Sequence, residues 1–128
     1  MGKVPAANAF AALGALYGLL GVAFGAFGAH ALRERLPAEM LAVYRTGVEY
    51  QMYHAAALIG VGLLGIVQPA RTPVFAGCCF AAGVVLFSGS LYLLAITEVR
   101  LFGAATPLGG MLFLLGWAAL ARSFLRIV

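Results

Sequence analysis

The sequence contains no aspartate, and its four acidic residues are all glutamates: Glu34, Glu39, Glu49 and Glu98. Together with eight lysines and arginines they bring the charged share to 9%, against about 25% in an ordinary soluble domain. Such a chain cannot cover a water-facing surface of its own, which excludes a soluble enzyme and a disordered segment. The net charge of +4 is spread over single, scattered bases rather than a basic stripe, so nucleic acid is not an expected partner. Cysteine is nearly absent as well. Cys78 and Cys79 are adjacent and form no Cys-x-x-Cys pair, so they are expected to be buried thiols rather than a redox couple. Two histidines and scattered glutamates lack a metal-ligand spacing. There is no phosphate-cradling glycine loop and no nucleophile elbow. No catalytic residue, metal or cofactor is expected.

What the sequence has instead is apolar length. Hydrophobic residues make up 64% of it, and a bilayer core needs roughly 20 apolar residues per helix. Four runs meet that length, over about 6–32, 44–67, 74–96 and 106–126. The first ends at Arg33, Glu34, Arg35 and Pro37, and is far longer than the 7–15 residues of a signal-peptide apolar region, so an uncleaved span is expected. Gln68 to Pro73 closes the second as a short turn, and Thr97-Glu98-Val99-Arg100 stops the third. Thr106-Pro107 predicts an N-cap followed by proline at the first helical position of the fourth. Continuous runs without period-2 alternation exclude a β-barrel. The expected fold is all-α: a single integral membrane domain over 1–128, folded as an up-down-up-down four-helix bundle.

In that topology Lys3, Arg71, Arg122 and Arg126 share one side, while Arg33, Arg35, Arg45 and Arg100 take the other. The positive-inside count is a tie. All four glutamates fall on the second side, which tips the expectation toward cytoplasmic termini and leaves dual insertion open.

Gly14, Gly18, Gly21, Gly25 and Gly28, spaced 4, 3, 4 and 3, fall on one stripe of the first helix. In lipid, small residues let helix backbones approach and accumulate dispersion contacts. The stripe is a helix-packing face, either inside one chain or at the seam of a homo-oligomer. Gly109-Gly110, at the start of the fourth span, is expected to permit close packing as well.

The same topology gathers both histidines, all four glutamates, and Tyr44, Tyr50, Tyr53 and Tyr92 at one end of the bundle. At 100° per residue, Gly47, Tyr50, Gln51, His54, Leu58, Val61 and Gly65 share one face of the second helix. His54 lies roughly 9–15 Å below the start of that span. Ser88 and Ser90 of the third helix are near the same depth, and Tyr92 is closer to the level of Tyr50. A buried imidazole needs a donor and an acceptor, which Ser88, Ser90 or Tyr92 would supply. An ionisable residue inside a membrane marks a functional site by default, although His54 serves equally as structural glue. His30 sits within a turn of its helix end and reads as interfacial. The two histidines are poorly levelled to clasp one haem iron.

Gly25-Ala26-Phe27-Gly28-Ala29-His30-Ala31-Leu32, Glu49-Tyr50-Gln51-Met52-Tyr53-His54, Leu86-Phe87-Ser88-Gly89-Ser90-Leu91-Tyr92 and Thr106-Pro107-Leu108-Gly109-Gly110 with Gly116-Trp117 resemble one family. It is the small membrane family of domain of unknown function 423, similar to transmembrane protein 256 of eukaryotes. The resemblance implies a compact four-span protein of the bacterial inner membrane with no settled activity and no catalytic residues to carry over. The leading functional expectation is a non-enzymatic protein. Its polar pocket, formed by His54, Tyr50, Gln51, Ser88, Ser90, Tyr92 and His30, would bind a membrane lipid or other amphiphile. The alternative is an oligomeric small transporter or channel, opposed by the lack of any mid-span carboxylate. A membrane enzyme with His54 as general base stands third, without a nucleophile or cofactor motif to support it.

Overall fold

The computed structural model describes residues 3–126. Four long helices run in alternating directions: α1 Lys3–Phe27, α2 Ala38–Val67, α3 Val74–Thr97 and α4 Thr106–Leu125. All four are long and apolar enough to cross a membrane. Each packs chiefly on its neighbour in sequence, so α2 and α3 form the centre and α1 and α4 flank them. The core is built on Leu58, Val61, Phe80, Val84 and Phe113, with Phe10, Leu13 and Tyr17 of α1 packed against it. A second cluster of Leu32, Leu41, Tyr44 and Ala95 closes one end.

Three boundaries differ from the sequence reading. Helix α2 begins at Ala38 rather than near residue 44. Its first turns follow Pro37, whose carbonyl accepts from Leu41 N at 2.9 Å, and they carry Glu39 where the helix dipole favours a negative charge. Leu41 and Tyr44 then dock on the end of the bundle. A search for apolar runs stops where hydrocarbon stops, and this helix continues past it. Helix α1 does not stay α-helical to residue 32, because Gly28–Leu32 form a π-helical turn. The Tyr44 hydroxyl donates to the Phe24 carbonyl at 2.6 Å, the acceptor that residue 28 would use in a continuing α-helix, and the ladder widens from that point. Finally, Thr106 is not an N-cap. The cap position is Ala105, with no side-chain bond, and the Thr106 hydroxyl is engaged by Ser90 Oγ at 2.6 Å.

Glycine sets how closely the helices approach. A Cβ on Gly14 would strike the Ala55 carbonyl and Ile59, one on Gly21 would strike Met52, and one on Gly28 would enter the Tyr44 ring. Gly25 faces Val48 at ordinary contact distance, and around Gly18 the space is open. The stripe on α1 therefore lies against α2 of the same chain at every position but Gly18. From α2, Gly62 and Gly65 answer with close approaches to Ala11 and Ala7. The α3–α4 seam alternates glycine with phenylalanine: Gly83 against Phe113, Gly109 against Phe87, Gly116 against Phe80.

Candidate functional site

The polar residues of the bundle first satisfy one another. Tyr92 of α3 donates to Gln51 Oε1 of α2 at 2.7 Å. Gln51 Nε2 donates onward to the Tyr17 carbonyl of α1 at 2.8 Å, and the Tyr17 hydroxyl returns to the Ala81 carbonyl of α3 at 2.8 Å. This circuit ties three helices together through one glutamine. Ser88, fully buried, donates to the Gly47 carbonyl at 2.7 Å. Ser90 donates to the Phe87 carbonyl at 2.9 Å and bonds Thr106 of α4. No buried side-chain nitrogen or oxygen among the described residues lacks a partner. An unpaired polar group in hydrocarbon would cost several kcal/mol, so this arrangement is required for the fold itself.

His54 is bound differently from the sequence expectation. Its partners are neither the serines nor Tyr92. Nδ1 lies 2.6 Å from the Tyr50 carbonyl, and the Trp117 indole N–H donates to Nε2 at 3.0 Å. A carbonyl only accepts and an indole N–H only donates, which fixes a neutral imidazole protonated on Nδ1. The ring also stacks on Phe113, with centroids 3.5 Å apart and planes at 6°. Its one lone pair is taken, so it is not poised as a general base.

Beside this histidine an open groove of about 620 Å³ runs between α2 and α4 over Phe87 of α3. That volume lies within the roughly 300–1,000 Å³ of small-molecule sites. Tyr50 stacks toward Phe87 at 4.5 Å to form one wall, and Gly110, Met111 and Trp117 form the other. Tyr50 and Tyr53 are 38% and 59% exposed, and their hydroxyls make no hydrogen bond among the described residues.

Of the seven residues grouped from sequence, the structure brings Tyr50 and His54 to this groove. Gln51, Ser88 and Ser90 are interior and committed to hydrogen bonds between helices, and Tyr92 faces a separate small cavity with Phe24, Phe27 and Tyr44. His30 is exposed on the π turn, apart from the rest. The seven side chains therefore do not share one pocket, and the groove that Tyr50 and His54 reach is mainly aromatic. Trp117, Phe113 and Gly110 were missed. The available signals were the single tryptophan, a donor that needs a partner when buried, and its placement four residues after Phe113. Cys79 is buried as expected, but Cys78 is exposed on the bundle surface. Among the described residues no three His, Cys or Glu side chains lie close enough to hold a metal.

Comparison with known proteins gives consistent matches. The family described as protein of unknown function (DUF423) matches residues 24–110. The UPF0382 membrane protein YwdK of Bacillus subtilis is 47% identical over 109 residues, covering 84% of this chain and 89% of the relative. The UPF0382 membrane protein SSP2132 of Staphylococcus saprophyticus is 42% identical over 92% of this chain and 98% of its own length. The UPF0382 inner membrane protein YgdD of Escherichia coli K12 is 40% identical, with 88% and 86% covered. No solved structure matches the chain.

Proposed function

The chain belongs to the DUF423 family of small membrane proteins, and on that footing we propose that it is a non-catalytic inner-membrane protein holding the apolar chain of one amphiphile in the α2–α4 groove. The observation that carries this reading is a contrast. Every buried side-chain nitrogen and oxygen among the described residues has a partner within the fold, while an aromatic groove stays open beside two unpaired tyrosine hydroxyls. The ligand this geometry accepts has a long acyl or isoprenoid chain lying along Phe87, Gly110 and Trp117. Its hydrogen-bonding head sits at the level of Tyr50 and Tyr53. In a bilayer, burying the chain gains nothing from leaving water, since lipid tails are as apolar as the groove. Selectivity must come from aromatic packing and from the head's bonds to the two hydroxyls.

Gly110 offers a clean test. A Cβ there would sit 3.9 Å from the Phe87 ring, an ordinary contact, so Gly110→Leu should fill the groove without forcing α3 and α4 apart. Native mass spectrometry of the protein extracted with its surrounding lipid should show one amphiphile retained by the wild type that is missing from Gly110→Leu at equal thermal stability. Equal retention by both would remove the reading. The orientation belongs to the same proposal: the end with Arg71, Arg122 and Arg126 and no glutamate faces the cytoplasm. A C-terminal reporter active only outside the cytoplasm should therefore stay silent, and activity there would reverse the assignment.

A further inference from the structure

The opposite end of the bundle carries a second site, of different chemistry. Arg71 leaves the 3-10 turn Pro69–Arg71 between α2 and α3, and its Nη1 donates to the Arg126 carbonyl at the end of α4, 2.9 Å away. That bond pins one guanidinium beside the last turn of α4, which contributes Arg122, Ser123 and Arg126. Arg71, Thr72, Ser123 and Arg126 surround a cavity of about 450 Å³. It adjoins, through Ser123 and Arg126, a furrow of about 510 Å³ walled by Phe75, Leu115, Ala119 and Arg122. The four glutamates all belong to the other half of the bundle, Glu34 in the loop before α2, Glu39 and Glu49 in the first half of α2 and Glu98 just after α3, so no glutamate side chain is present to neutralise these three arginines. The guanidinium of Arg71 spends one donor on the Arg126 carbonyl and keeps four more. Thr72 Oγ1 and Ser123 Oγ already donate to the Pro69 and Ala119 carbonyls, leaving oxygen lone pairs but no strong donors there.

We propose that this cluster and furrow form a binding site for one anionic phospholipid, its phosphate held by Arg71, Arg122 and Arg126 and one acyl chain lying along Phe75 and Leu115. Two features support a lipid over free phosphate. The basic cavity opens into an apolar furrow that continues down α4 into the hydrocarbon region, and basic pockets between transmembrane helices are where anionic headgroups lodge. A soluble anion would leave the furrow unused. The site is independent of the aromatic groove, which lies toward the other end of α4.

The test is a titration of the purified full-length chain in detergent with dioleoylphosphatidylglycerol or dioleoylphosphatidylcholine, with bound lipid counted by native mass spectrometry. Phosphatidylglycerol should bind at one molecule per chain in preference to phosphatidylcholine. Each arginine at an anionic headgroup is worth about a fivefold change in binding. Arg122→Gln should therefore weaken phosphatidylglycerol about fivefold, and Arg71→Gln/Arg122→Gln about 25-fold, with the weak phosphatidylcholine binding unchanged. Arg122 makes no hydrogen bond that the fold depends on, so the single variant reads binding without loss of structure. Equal affinity for the two lipids, or variants that bind like wild type, would overturn the proposal. Displacement of the lipid by inorganic phosphate at similar concentration would also overturn it, showing that the furrow contributes nothing. Gly110→Leu should leave phosphatidylglycerol binding intact, so this site and the aromatic groove can fail separately.

Discussion

Adjacent glycines in α4 should respond oppositely to the same substitution. A Cβ on Gly109 would meet the backbone and Cβ of Phe87, atoms that cannot turn aside, so Gly109→Ala must push α4 away from α3. The displacement is felt along the seam, where Gly83 faces Phe113 and Gly116 faces Phe80 with equally little room. Overpacking of this kind costs about 1–3 kcal/mol. Alanine's higher helix propensity returns at most about 1 kcal/mol, so a net loss of up to about 2 kcal/mol is expected. At Gly110 the new methyl reaches only ordinary contact, and Gly110→Ala should be neutral or stabilising by up to about 1 kcal/mol. Reversible unfolding in mixed micelles, with both variants and wild type in parallel, measures the difference. Equal stability of the two variants would refute the seam geometry.

Other expectations test the hydrogen-bond circuit. Tyr92→Phe strips the donor from Gln51 Oε1 and should cost about 0.6–1.7 kcal/mol. Tyr53→Phe, whose hydroxyl has no partner in the fold, should leave stability unchanged in the same assay. A double-mutant cycle of His54→Phe and Trp117→Phe should give a coupling of about 0.5–1.5 kcal/mol, and additive effects would deny the Trp117–His54 bond. Glu98, at φ 56° the only non-glycine residue with left-handed backbone among those described, ends α3. Glu98→Gly should therefore stabilise the protein by about 0.5–1 kcal/mol by removing that strain, and a loss would show that its side chain matters more than its backbone.

Span number and order were legible because four apolar runs separated by charged or proline-rich breaks admit little else. The buried face of α2 was legible too: Gly47, Gln51, His54, Leu58, Val61 and Gly65 are all buried, as the 100° arithmetic places them. Tyr50 departs from that face toward solvent or lipid because α4 does not close over it. The start of α2 was hidden because its first turns are amphipathic, docked through Leu41 and Tyr44 rather than immersed. The partner of His54 was hidden for a reason of geometry. Depth along α2 was compared with depth along α3, but the ring points past α3 toward α4, and rotation about a helix axis decides that. The glycine stripe was visible from spacing alone, and Ala7 and Ala11 continue its alternation of 4 and 3; hidden was which residues of α2 meet it, since the matches of Gly62 with Ala11 and Gly65 with Ala7 are made across an antiparallel pair. The polar cluster was visible as composition, but only the bonds among Gln51, Tyr17, Tyr92 and Ala81 reveal that it is spent on holding helices together.

Trp117 is the single tryptophan of the chain and lines the aromatic groove, so its fluorescence reports occupancy directly. The protein in nanodiscs would be titrated with a fatty acid brominated along its chain, at mole fractions too low to crowd the bulk lipid. A groove that holds one chain predicts quenching that saturates near one molecule per protein and becomes weak and linear in Gly110→Leu. Quenching that rises linearly with mole fraction in the wild type, indistinguishable from Gly110→Leu, would mean that Trp117 meets only the surrounding bilayer and would contradict the account.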